Sequence, residues 1–219
     1  SYRAAFLVGA DGAGSKVREL SSLVMKTRLY HQHAIVGVVS SEHPHHGVAL
    51  QNFLSTGPLG VLPLFNRCQN SFVWSCHDEY ADQLMQLSPC EFNQRLSESL
   101  DYRLGKMNVL TERVKFPLVE RSLNQPYCDA MVLIGDAAHT IHPLAGQGAN
   151  CGLQDAVWLA HCYQQWARSG ARKAAGVQRL FATYFRRRAV DYQFLKYSMR
   201  VFSEGFSDSS SWAISTRSA

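Results

Sequence analysis

Two stretches of the sequence hold residues whose types and spacing could do chemistry. The first is Gly9-Ala10-Asp11-Gly12-Ala13-Gly14-Ser15-Lys16-Val17-Arg18, a glycine-rich turn carrying an acid, a hydroxyl and two cations. The second is Gly135-Asp136-Ala137-Ala138-His139-Thr140-Ile141-His142-Pro143-Leu144-Ala145-Gly146-Gln147-Gly148-Ala149-Asn150. A carboxylate such as Asp136 at a strand end can accept hydrogen bonds from sugar-alcohol hydroxyls. Glycines at 146 and 148 let backbone approach a ligand closely. If a helix starts there, its free N–H groups and its dipole favour electron-rich or anionic groups. His139 and His142 have the side chain suited to acid–base work near neutral pH. A hydrogen-bonded positioning role fits His139 better than proton transfer, and for His142 both readings stand. Asp11 likewise has two readings of equal weight, a ligand contact or an acid that closes its own turn.

Two common phosphate motifs are excluded by spacing. A Walker loop needs Gly-Lys-Ser/Thr, but Gly14 is followed by Ser15 and then Lys16. A dinucleotide fingerprint needs a third glycine where Val17 stands.

The elements that must position these residues can be read from the pattern. Residues 4–9 and 131–134 are short apolar runs that read as buried strands. Each is followed by one of the two turns. Ser15 is placed to cap a helix through Lys16, Val17, Arg18 and Leu20. After the second turn, Leu153, Val157, Ala160, Tyr163 and Ala167 form an apolar stripe at helical spacing, stopped at Ser169-Gly170. A further helix is expected from Arg172 to about Glu204. It carries Phe181, Tyr184, Phe185, Tyr192, Phe194 and Tyr197, read as core positions.

Between the turns the character changes. Strands are expected at 34–39, 47–54, 59–65 and 71–76, an antiparallel meander with one face free to cover something. Ser88-Pro89-Cys90-Glu91 is a capping box with proline at the first helical position. Residues 109–116 alternate as a strand that Pro117 should stop. The polar end around Ser207–Ser211 reads as loop.

At 219 residues and 46% hydrophobic, the chain can bury a core, and 18% charged residues argue against disorder. The net charge of +5 is concentrated late, in Arg168, Arg172, Lys173, Arg179, Arg186, Arg187, Arg188, Lys196 and Arg200. A solvated helix face accounts for that run more economically than a surface for phosphate, anionic lipid or an acidic partner. The six cysteines form no C-x-x-C pair and no zinc-ligand spacing, which suits free thiols in a reducing compartment. No carboxylate or cysteine cluster accompanies His43, His45 and His46, which read as a polar loop, so no metal site is expected. Neither a signal peptide nor a membrane-length apolar run is evident.

Gly135-Asp136-Ala137-Ala138-His139, with Pro143, Gly146-Gln147-Gly148 and Asn150, closely resembles the second flavin-binding motif of the single-component FAD-dependent aromatic hydroxylases. Gly9 to Arg18 resembles that family's Asp-Gly motif, in the same order and at similar separation. His139 to Gly148 is most similar to the ubiquinone-biosynthesis branch, as are Arg103-Leu104-Gly105 and Phe116-Pro117-Leu118.

The resemblance implies an α/β (mixed α+β) chain: an incomplete FAD-binding Rossmann-like domain with an inserted antiparallel β-sheet substrate domain and C-terminal helices. Residues 1–27 and 119–170 would belong to the FAD-binding domain, 28–118 to the substrate domain and 171–219 to a helical region. Cofactor contacts would come from Asp11, Arg18, Gly135, Asp136, Gly146, Gln147, Gly148, Ala149 and Asn150, with Asp136 on the ribityl chain. Pro143 would lie near the flavin ring facing the substrate, and Pro143 and His142 would be the catalytic residues. The implied cofactors are FAD and NAD(P)H. The implied reaction is hydroxylation of a polyprenylated phenol or quinol by dioxygen through a hydroperoxyflavin, with no nucleic-acid partner. A lipid-tailed substrate implies a cytoplasmic protein peripheral to the inner membrane, in contact with other ubiquinone-biosynthesis proteins. The family's opening βαβ unit with G-x-G-x-x-G has no counterpart here. The resemblance therefore implies a fragment that binds FAD poorly and does not turn over alone. A related flavoprotein of other chemistry, such as a prenyl reductase or halogenase, and a non-catalytic assembly module stand as alternatives.

Overall fold

The computed structural model describes residues 3–140, 148–170 and 174–207. In chain order the elements are β1 (Leu7–Gly9), α1 (Lys16–Glu19), β2 (Met25–Ser41), β3 (Leu50–Leu54), β4 (Gly57–Pro63) and β5 (Gln69–His77). Next come α2 (Asp78–Gln86), α3 (Pro89–Glu98), β6 (Met107–Val109), β7 (Val114–Leu123), β8 (Tyr127–Cys128) and β9 (Met131–Leu133). A 3-10 turn (Gly135–Ala137), β10 (His139–Thr140), α4 (Gly148–Arg168) and α5 (Ala174–Ser207) complete the order. The chain forms two compact units. One joins Ser1–Leu29 to Val119–Arg200, and Tyr30–Leu118 belongs to the other.

The first unit is built on a parallel pair. β1 pairs with β9 in the register Leu7↔Met131, Val8↔Val132, Gly9↔Leu133. β8 adds an antiparallel strand on the other edge of β9. Val132 and Leu133 are fully buried, as parallel strands require. Around them pack Leu159 and Cys162 of α4 and Val177, Leu180, Phe181 and Tyr184 of α5. Phe181 and Tyr184 are therefore core residues, but Phe194 and Tyr197 are 73% and 70% exposed. The face that α4 buries holds Cys151, Asp155, Leu159 and Cys162. The apolar stripe expected to be buried is on the other side: Leu153, Val157 and Tyr163 are exposed. Apolar spacing alone pointed to the wrong face, because a charged residue occupies the buried one.

The second unit is an antiparallel sheet with helices. β3, β4 and β5 are joined as consecutive hairpins, and β2 pairs with β5, from Gln32↔His77 to Ser40↔Gln69. This corrects the expected meander. The first strand lies beside the fourth, a Greek-key order. β6 covers the end of β2. Its core is Ile35, Val39, Leu59, Val61, Phe72, Trp74, Phe92 and Leu96. Ser88 caps α3 with a complete capping box: Glu91 N–H donates to its hydroxyl and Ser88 N–H donates to the Glu91 carboxylate. α2 was not anticipated. The expected strand over 109–116 is two strands, and Pro117 lies inside β7 rather than ending it. A strand tolerates proline where its missing N–H has no ladder partner.

Candidate functional site

Both chemistry-bearing turns belong to the first unit, and the parallel register brings them together. β1 and β9 end side by side, and Ile134 N–H donates to Gly9 O at 2.9 Å just past their paired residues. The turns after Gly9 and after Ile134 therefore leave the sheet at adjacent carboxyl ends of parallel strands, where open α/β sheets bind their ligands.

The first turn is closed by its own residues. Asp11 accepts from the Ser15 hydroxyl at 2.5 Å and from the backbone N–H groups of Lys16 and Val17 at 2.8 and 3.1 Å. The Ser15 hydroxyl and the Val17 N–H hold the Asp11 carboxyl below its ordinary value. These contacts close the turn around Asp11. Arg18 ties the turns to each other, donating to Ala13 O at 2.6 Å and across the sheet to Ala137 O at 2.9 Å.

In the second turn Gly135 has φ +57, a left-handed conformation that costs a side-chain-bearing residue about 1–2 kcal/mol. A Cβ there would lie 3.5 Å from the Cα of Gly152. The turn and the first part of α4 thus approach backbone to backbone. Asp136 is exposed and makes no hydrogen bond to another described residue. Gly148, Ala149 and Asn150 are the first residues of α4. Pro143, His142, Gly146 and Gln147, also expected at the site, lie outside the described residues.

A group that the sequence did not single out underlies this arrangement. Asp155 of α4 is 1% exposed, yet it is charged. Its Oδ2 accepts from Gly135 N–H at 2.9 Å and pairs with His139 Nε2 at 2.6 Å. Its Oδ1 accepts from Arg188 Nε at 2.7 Å. Burial pushes the carboxyl up, but His139, Arg188 and the Gly135 N–H together hold it below the ordinary aspartate value. Burial and the neighbouring Asp155 charge push the Tyr184 hydroxyl up, so it stays protonated. The His139 ring also lies against Tyr192, 4.4 Å between centroids. His139 is therefore held on both sides. A cavity of about 280 Å3 adjoins the network, lined by Lys26, Asn124, His139, Asp155, Tyr192 and Lys196 among others.

The geometry fits a flavin nucleotide's polar parts. An exposed carboxylate stands beside the end of a parallel strand. No atom of the described residues lies within 4 Å of where a Cβ would be on Gly12, Gly14 and Gly148. The 21-residue helix α4, which packs on the Gly135–Ala137 turn, begins at Gly148. His43, His45 and His46 have no such arrangement. His45 is buried and spends its ring on backbone, accepting from Gly47 N–H and facing Leu64 O and Asn66 O.

Comparison with known proteins places the chain. The FAD binding domain family matches residues 1–190. The ubiquinone hydroxylase UbiL of Rhodospirillum rubrum is 36% identical over 160 residues, 73% of this chain and 37% of that protein. The 3-demethoxyubiquinol 3-hydroxylase of Escherichia coli is 33% identical over 206 residues, 94% of this chain and 52% of that protein. The chain thus spans about half or less of the length of these curated relatives. Among solved structures, PqsL, a probable FAD-dependent monooxygenase from Pseudomonas aeruginosa, matches with a TM-score of 0.78 at 22% identity, over 94% of this chain and 57% of that one. At that identity the likeness speaks to the fold.

Proposed function

The chain belongs to the FAD binding domain family, and from that premise we propose that it supplies the flavin-ring half of the site in an NAD(P)H-dependent monooxygenase. The substrate is the aromatic ring of a polyprenylated ubiquinone precursor. One observation carries the reading: the Asp-Gly and Gly-Asp turns stand at adjacent ends of β1 and β9, joined by Arg18, beside the start of α4.

Bound FAD supplies the redox and oxygen chemistry, which is the cofactor's own. The chain's residues bind and orient it. Asp136 accepts hydrogen bonds from the ribityl hydroxyls. The start of α4 at Gly148–Asn150 sets the positive end of the helix dipole toward negative charge at the pyrimidine end of the ring, and Gly146 and Gln147 of the same motif are assigned to that contact. Arg18 and the Asp11 turn stand toward the pyrophosphate and ribose. Pro143 and His142 are assigned the catalytic role toward the substrate, a quinone precursor hydroxylated with dioxygen. The antiparallel sheet of Tyr30–Leu118 is assigned to substrate binding.

No helix among the described residues is long and apolar enough to cross a membrane. A lipid-tailed substrate calls for contact with a membrane surface or a partner protein. The outward residues Arg179, Arg186, Arg187, Phe194 and Tyr197 of α5 suit that contact.

The test is an activity assay on full-length protein. NAD(P)H oxidation stimulated by a prenylphenol, with one oxygen atom gained by the ring, is the expected result. Halide transfer, double-bond reduction or no turnover with a flavin-loaded preparation would replace the reading with one of its alternatives.

A further inference from the structure

Asp155 belongs to neither flavin motif, yet it touches the second one through the backbone. Its Oδ2 receives the N–H of Gly135, the residue immediately before Asp136. The same oxygen pairs with His139, and Arg188 of α5 holds the other oxygen. Arg188 is itself anchored by Gln154 at 3.2 Å and Asp191 at 2.9 Å. Three donors from three separate elements thus converge on one buried carboxylate: the strand-end turn, β10 and α5.

Packing alone does not call for this arrangement. An apolar side chain at position 155 would continue the buried face of Cys151, Leu159 and Cys162 without a desolvation cost. What only an acceptor can do here is hold the Gly135 N–H, and with it a turn in a left-handed conformation.

We propose that Asp155, oriented by Arg188, is a positioning residue for flavin binding: it fixes the Gly135–Asp136 turn so that the Asp136 carboxylate is already aimed at the ligand's hydroxyls. This rests on the flavin reading above and extends it to a residue outside the motifs. Its energetic logic is preorganisation. A turn held before binding spares the ligand the cost of ordering it.

The experiment is a double-mutant cycle on deflavinated full-length protein, titrated with FAD and followed by flavin fluorescence. Asp155→Asn keeps the size and one acceptor oxygen but loses the charge that holds all three donors. If Asp155 acts through Asp136, Asp155→Asn and Asp136→Ala each weaken FAD binding about tenfold, and the double variant binds no more weakly than Asp136→Ala alone. A purely structural role predicts multiplied losses, about a hundredfold together. That result, with wild type binding normally, overturns this inference and leaves the flavin reading intact. Wild-type protein that takes up no FAD overturns both. If Asp155→Asn does not fold, Arg188→Lys carries the same cycle. It keeps the charge but loses the directed Nε–H bond, and the same lack of additivity with Asp136→Ala is expected.

Discussion

At the scale of single residues, the Asp155 carboxylate decides most. Isolating a charge in a protein interior costs several kcal/mol unless donors replace its water. Here His139, Arg188 and the Gly135 N–H do so. Asp155→Ala leaves the nearly buried Arg188 without its main partner and should cost about 3 kcal/mol at pH 7, read from urea unfolding. The loss carries a pH signature. The folded pKa of Asp155 lies below its ordinary 3.8, so the unfolded chain binds the proton more readily. The stabilisation is complete above that ordinary value and disappears as pH falls through the lower folded one. The gap between wild type and Asp155→Ala should be constant at neutral pH and narrow below about pH 4. A gap unchanged down to pH 2 would mean that the carboxylate is not ionised in the fold. Neither Asp155 nor Arg188 was legible beforehand. An aspartate inside a helix reads as solvent-facing, and Arg188 was one cation in a basic run. A signal existed, since residues 151, 155, 159 and 162 share one helical face, and an acid among Cys, Leu and Cys there asks for a buried partner.

Elements show where local pattern suffices and where it fails. The capping box at Ser88 needed only four residues, so sequence and structure agree. Ser88→Ala should cost about 1 kcal/mol in thermal or urea unfolding. The two glycines where the turn meets α4 should behave oppositely. Gly135→Ala forces a side chain into a left-handed backbone and should lose about 1–2 kcal/mol. Gly152→Ala adds a Cβ at ordinary contact distance within a helix and should gain about 0.5 kcal/mol. Equal effects from the two would contradict the backbone conformation described here. The strands of the second unit were legible from their alternation, but their order was not. Pairing β2 with β5 depends on contacts some forty residues apart, which no local period encodes. α4 failed for a related reason: its apolar residues are spread round the helix, and tertiary packing selects the face.

For the molecule as a whole, the flavin resemblance was legible because its two motifs are long and local, and the family match agrees with it. The two turns lie more than a hundred residues apart in sequence, and only the parallel pairing of β1 with β9 makes them neighbours. If FAD binds at that junction, it stabilises the folded state by mass action, about 2.7 kcal/mol at a hundredfold excess over its dissociation constant. With its roughly tenfold weaker binding, Asp136→Ala should remove about half of that gain while leaving the flavin-free stability unchanged, because Asp136 is exposed and bonded to no other described residue.

The most direct measurement is the visible absorbance spectrum of purified full-length protein, before and after dialysis against FAD, in wild type and Asp136→Ala. The account predicts a bound flavin spectrum with about one FAD per chain in wild type, and much less retained by the variant. Wild-type protein that is colourless and takes up no FAD would contradict it.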